Sequence, residues 1–251
     1  MVTSEWIVLN RQPIRESDWL LDIFSEQLGR FSVVINERQL NWSVDILDHC
    51  KSEISVVKNS EANYKLHIIE RLSGWQAISM NDSAPNRLSA SPNISQSTFI
   101  KSACVLYVVE LIQKFLPLAV PNKRLFKILC AVIDALKSDG VHDPWLRFFE
   151  YQLLVESGLG FSWQQDYQGL NIIDQQGYYF NPGFGFYDSA AILQNDSSAT
   201  SLPQLFNGRD LLAISQQDFN PERLKIAKII LRYAIEHQLK TPLISRQLWL
   251  A

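Results

Sequence analysis

Cysteine is scarce in this chain of 251 residues, and positive charge is in deficit. The three cysteines, Cys50, Cys104 and Cys130, stand far apart and make no CxxC pair, which excludes a disulfide framework and fits a reducing, cytosolic home. Lys and Arg total 23 against 26 Asp and Glu, a net charge of -3, so the global balance argues against a nucleic-acid binder. No apolar run reaches the length of about 18 residues that a spanning helix needs, and residues 1–10 lack the basic flank and apolar stretch of a signal peptide. A soluble, unprocessed protein is expected. The four histidines, His49, His67, His142 and His237, have no metal-site spacing, and Gly183-Phe184-Gly185 lacks the Lys and Ser or Thr of a phosphate loop. No catalysis, metal or cofactor is therefore expected, and there is no internal repeat.

Hydrophobic residues make up 47% of the chain, enough to bury a core in one or two domains. From Glu5 to Trp75 they come in five short runs bounded by turns, at Trp6, Leu20, Phe31, Ile54 and Leu66, the strand count of a small closed barrel. A hairpin should run from Asp18 through Gly29 to Ile35, with Gly29 free to take the positive φ of the turn. Asn, Ser, Asp and Pro dominate residues 81–96, which reads as a linker.

Beyond it the period changes from 2 to about 3.6. One helix carries Ala103, Tyr107, Glu110, Leu111 and Lys114 and is closed by Pro117 and Pro121. The next follows Asn122, a third opens with Asp143 as N-cap and Pro144 and ends near Gly158, and a last one starts at Asn220 and Pro221. Residues 161–206 break the pattern, with an aromatic stretch at 177–186 that suits a hairpin and a tip at 195–201 that suits disorder. The fold class is thus α+β and multidomain: an OB-fold β-barrel at 1–80, a linker at 81–96, and an α-helical domain at 97–251 with a small irregular or β-hairpin insertion at 161–206.

Residue strings in the same order resemble the bacterial recombination mediator family RecO. Val8-Leu9-Asn10-Arg11-Gln12-Pro13 with Glu16-Ser17-Asp18-Trp19-Leu20-Leu21-Asp22 and Gly29-Arg30 is similar to that family's opening strands. Tyr107 with Glu110-Leu111, then Leu146-Arg147-Phe148-Phe149-Glu150 with Gly158-Leu159-Gly160, then Phe206-Asn207-Gly208-Arg209-Asp210-Leu211 and Pro242-Leu243 with Ser245-Arg246-Gln247-Leu248, continue the likeness. Two departures stand out. Many relatives carry four cysteines as a zinc site between the glycine turn and the aromatic hairpin, whereas 161–186 holds no Cys or His, so this chain resembles a metal-free branch. The family's basic segment after the third strand is replaced by Ile35-Asn36-Glu37-Arg38-Gln39-Leu40, in which Arg38 is the one cation.

The resemblance implies a non-enzymatic mediator of DNA repair that binds single- and double-stranded DNA, anneals strands, and works with RecR to load the recombinase RecA onto DNA coated by single-strand-binding protein. It also implies a cytoplasmic, nucleoid-associated location and a docking site for that coating protein's acidic C-terminal tail. Residues 1–84 nevertheless hold eight basic against twelve acidic residues. DNA contact would then depend on folding to gather scattered cations: Arg11, Arg15, Arg30 and Arg38 in the barrel, Lys225, Lys228 and Arg232 on one helix stripe, with Arg209 and Arg246 extending it. For the tail, Arg147 is the expected guanidinium donor, Lys123, Arg124 and Lys127 a rim, and Leu125, Leu129 and Phe148 either slot or core. Glu110 and Glu150 lie in apolar helix patterns, as an acid-base pair of a hydrolase or as structural partners of arginines. The competing reading is a protein-interaction scaffold on the same fold with weak or lost DNA binding.

Overall fold

The computed structural model describes residues 1–40, 42–57, 64–74, 96–138, 141–192 and 204–246. The chain divides into two compact units, Met1–Gly140 with Ser245–Ala251, and Val141–Ile244. Of the linker at 81–96, all but Gln96 lies outside the described residues, as does the tip at 195–201. By compactness the first unit extends past that linker, because its two helices pack onto its strands.

Five antiparallel strands, β1 (Val2–Pro13), β2 (Asp18–Ser25), β3 (Gly29–Asn36), β4 (His49–Val56) and β5 (Tyr64–Ser73), form one sheet in the order β3-β2-β1-β4-β5. Alternate residues, among them Trp6, Val8, Leu21, Ile23, Phe31, Val33 and Cys50, point to a common core. The residues between them on β1 and β2, Ile7, Leu9 and Phe24, are buried as well. Their cover is helical: α2 (Lys123–Lys137) sets Phe126 edge-on against Phe24, with ring centroids 5.6 Å apart. Burial on both faces explains why 6–9 reads as an unbroken apolar run instead of an alternating one.

The sheet curls until its outer strands face each other, with the rings of Phe31 on β3 and Tyr64 on β5 4.1 Å apart. Among the described residues no ladder joins β3 to β5, so the expected closed barrel is an open, curled sheet. The side chains of Phe31 and Tyr64 meet across the gap. The five expected strands are all present.

The β2–β3 turn closes at Ser25 and Gly29, where φ is +76°. Any Cβ at Gly29 would collide with the Val120 carbonyl, since the loop after α1 (Gln96–Phe115) packs against this turn and Ala119 N–H donates to Arg30 O at 2.8 Å. Asn122 then caps α2, accepting from Leu125 N–H at 2.9 Å.

In the second unit, α3 (Asp143–Glu156) packs with α6 (Pro221–Gln238). Between them in sequence lie β6 (Gly177–Asn181), β7 (Gly185–Asp188), the short α4 (Ser189–Ile192), β8 (Phe206–Asn207) and α5 (Gly208–Ser215). The aromatic stretch does form a hairpin, with Phe180 opposite Phe186, and β8 adds a third strand. The N-cap of α3 is His142, in helical conformation and without a side-chain bond, so Asp143 begins the helix rather than capping it. Its carboxylate there sits at the positive end of the helix dipole. The last helix starts at Asn220 and Pro221 as expected, and Asn220 is its cap, accepting from Arg223 N–H at 2.8 Å.

Candidate functional site

The four arginines of the curled sheet do not gather at one place. In the β2–β3 register Asp18 lies opposite Asn36 and Phe24 opposite Arg30, so Arg30 stands at the far end of the hairpin from Arg15 and Arg38. Its guanidinium reaches the C-terminal end of α1, donating to the carbonyls of Gln113 and Leu116, and its Nε faces Asp22 at 3.5 Å. A cation at the negative end of a helix is a structural cap. Burial raises the pKa of Asp22, and Arg30 together with the amide of Gln113 works against that rise.

At the other end of the hairpin, Glu37 organises the surface. It accepts from Trp19 Nε1 at 2.8 Å, from the Ser43 hydroxyl at 2.6 Å and from Val44 N–H at 3.1 Å, bonds that with Ser43 foremost hold its carboxyl below the usual range. After β3, a carboxylate hub thus stands in place of the basic segment of the resembled family. Arg11 stacks over the Trp19 ring at 4.9 Å, donates to Val44 O and lies 3.7 Å from Asp45. Arg38 is exposed and pairs with Glu16 at 3.4 Å, while Arg15 is exposed on the β1–β2 turn. Three of the four arginines thus have a carboxylate beside them.

On α6, Lys225 is exposed and Lys228 and Arg232 half-buried, and Arg209 is exposed in the first turn of α5. Arg246 belongs to the first unit, which the chain re-enters where Ser245 donates from its N–H and hydroxyl to Glu110 Oε2 at 2.9 and 2.6 Å. Lys123, Arg124 and Lys127 are exposed on α2 of the first unit, and Leu125 and Leu129 are buried in it. Arg147 belongs to the second. Glu110 also lies 3.7 Å from Lys114, and Glu150 2.9 Å from Arg147, so each acid has a cationic partner of its own.

Arg147 and Phe148 line a pocket of about 150 Å³ in the second unit. Tyr151, Trp163, Ile214, Phe219, Ala227 and Leu231 complete most of its wall. Arg147 is 4% exposed and its Nη2 holds Glu150, but its Nε and Nη1 are buried without a hydrogen-bond partner. Each such buried donor costs on the order of 1–3 kcal/mol, which an entering acceptor would recover. A guanidinium fork with unmade donors in an apolar wall has the chemistry to hold a carboxylate on an apolar body. Sequence reasoning found Arg147 and Phe148 but missed Trp163, Ile214, Phe219 and Leu231, which come from three distant segments and carry no signal beyond being apolar.

Next to the pocket, Phe161 packs against Phe180, Trp163 and Phe186 at centroid distances of 4.7, 5.0 and 5.6 Å. Aromatic rings therefore fill the stretch where a zinc site would need thiolates or imidazoles, and the residues present do not fit that metal. Among the described residues, no group of three His, Cys, Asp or Glu side chains could hold a metal ion. No described helix is long and apolar enough to cross a membrane.

A family model described as recombination protein O C terminal matches residues 96–247. The chain belongs to the RecO family. It is 28% identical to the DNA repair protein RecO of Alteromonas mediterranea over 99% of this chain and 98% of the relative. With the DNA repair protein RecO of Stutzerimonas stutzeri the identity is 29%, over 97% of this chain and 91% of that one. The same-named protein of Pseudomonas entomophila shares 33% over a shorter stretch, 57% of this chain and 60% of the relative. The matched region contains every residue that lines the Arg147 pocket, from Arg147 to Leu231.

Proposed function

We propose that this RecO-family chain acts without catalysis as a mediator of DNA repair and recombination, recruited when a protein tail ending in a free carboxylate enters the Arg147 pocket. One observation carries the reading: two nitrogens of a buried guanidinium have no hydrogen-bond partner in the wall of an apolar pocket. The acidic, apolar C-terminal tail of single-stranded DNA-binding protein has the matching chemistry. With RecR as partner, the chain would place the recombinase RecA on coated single strands and anneal complementary ones, in the cytoplasm beside the nucleoid.

The curled sheet, with its two edges facing across Phe31 and Tyr64, supports reading the N-terminal strands as an OB-like barrel, a fold that binds single strands by stacking and phosphate contact. Arg11, Arg15 and Arg38 with Trp19 at one end of it, and Arg209, Lys225, Lys228, Arg232 and Arg246 elsewhere, are the residues proposed to meet phosphates. The cap that Arg30 makes on α1 leaves it the weakest of the set. Because carboxylates flank three barrel arginines, the second reading, an interaction scaffold with weak DNA affinity, is kept alive by a specific observation.

Anisotropy of a labelled peptide separates these outcomes. A tail peptide ending in Phe should bind the full chain, and the same peptide with an amidated C-terminus should bind about ten-fold or more weakly, the range for hydrogen bonds to a charged group. Arg147→Lys, which keeps the charge beside Glu150 but loses the fork, should weaken the tail and leave oligonucleotide affinity unchanged. Equal binding of acid and amide peptides overturns the pocket assignment. Tail binding with no oligonucleotide binding at low salt selects the scaffold.

A further inference from the structure

A second cleft in the Val141–Ile244 unit is lined by no cation, in contrast to the Arg147 pocket. It measures about 150 Å³ and lies between the turn that ends α3, at Gly158, Gly160 and Phe161, and the β6–β7 turn, at Pro182, Gly183 and Phe184, with mostly polar atoms in its lining. Three features of its setting favour a cation.

The first is the helix end. The turn at Gly158, where φ is +73°, terminates α3, whose last turn contains no basic residue, and the C-terminus of a helix is its negative pole. A Cβ at Gly158 would meet nothing within 4 Å, so the approach is open. The second is composition. No Lys, Arg or His is among the residues that line the cleft, which include Gln238 of α6, and residues 148–208 contain none. The third is aromatic: Phe184 is 70% exposed at the rim, 6.5 Å from Tyr187, which stacks on Tyr167 at 4.1 Å and 22°. Exposed ring faces attract cations, and the planar guanidinium best of the side-chain cations because it also stacks.

We propose that this cleft and its aromatic rim receive the guanidinium of an arginine-bearing segment of a partner protein. A nucleic acid is disfavoured because no side chain lining the cleft offers a cation to a phosphate, and an acidic tail for the same reason. The site is separate from the Arg147 pocket and does not depend on what fills it.

The test uses amide NMR of the full chain with acetyl-tetra-arginine amide as probe and its neutral tetra-citrulline analogue as control. The amide signals of Gly158, Gly160, Gly183 and Gly185 should move with tetra-arginine and stay in place with tetra-citrulline. Phe184→Ser, at an exposed turn, should lower tetra-arginine affinity about two- to five-fold, while Arg147→Lys should not change it. Equal shifts with both peptides, an unchanged affinity in the Phe184→Ser chain, or shifts dispersed over the surface away from these glycines would overturn the proposal. So would an oligothymidylate that moves the same four signals, which would make the face a nucleic-acid surface.

Discussion

Arg30 is half-buried and Arg147 buried, and each lies beside one carboxylate, yet they do different work. Arg30 extends its Nη1 to two carbonyls at the end of α1, while its Nε lies 3.5 Å from Asp22 without a hydrogen bond. Arg147 meets Glu150 and leaves Nε and Nη1 unmade inside an apolar wall. The difference teaches how to tell a structural arginine from a recognition arginine: Arg30 gives its Nη1 to a helix end and Arg147 keeps two nitrogens unmade, while ion pairing alone does not separate them.

The comparison is strained most by removing the acid from the second unit. Glu150→Ala leaves Arg147 charged and buried without its partner and should cost about 3–5 kcal/mol, read as a lower denaturant midpoint. A loss under about 1 kcal/mol would mean that Arg147 reaches solvent when Glu150 is gone. In the first unit, Arg30→Ala should cost about 2 kcal/mol through the lost cap on α1 and leave oligonucleotide affinity unchanged. Reduced affinity with unaltered stability would return Arg30 to the DNA surface.

A pH titration sharpens the role of Asp22. Its folded pKa is raised by burial, so the folded chain holds that proton more tightly than the unfolded one. Its contribution to stability is therefore greatest below the unfolded value near 3.8 and falls as pH rises through the higher folded value. Relative to wild type, Asp22→Asn should gain stability across that window in urea melts. The reverse slope would show that attraction to Arg30 outweighs desolvation. The smallest effect is expected at the other end of the hairpin. Arg15→Ala and Arg38→Ala should each lower the logarithmic salt slope of single-strand binding by about 0.7 if each meets one phosphate.

Local patterns carried much of the fold. The five apolar runs became five strands, Gly29 made the hairpin turn, Asn122 and Asn220 capped their helices, and 177–186 paired as a hairpin. Each of these depends on neighbours within a few positions. Closure of the barrel was not legible, since whether β3 and β5 share a ladder depends on how two edges far apart in sequence approach. His142 took the cap expected of Asp143 for a related reason: the chain was already helical one residue earlier, and no local letter records that.

The candidate site was half visible. Arg147 and Phe148 stood in a readable string, but the wall opposite them is contributed by Trp163, Phe219 and Leu231, whose meeting requires α3 and α6 to pack. For the cations the outcome differed: Lys225, Lys228 and Arg232 share a helix, and their spacing already told their face. The barrel arginines went to separate neighbours, Arg11 to Asp45, Arg30 to Asp22 and Arg38 to Glu16.

By itself the sequence determined the succession of strands and helices, the turns and caps between them, the acidic balance of the first 84 residues and the absence of thiolate or imidazole ligands in 161–186. These follow from side-chain chemistry and short-range spacing. Only the tertiary structure decided which guanidinium nitrogens meet an acceptor and which stay open, because a hydrogen bond is fixed by angles and distances over a few ångströms between groups that the chain separates by 86 positions in the case of Arg30 and Leu116.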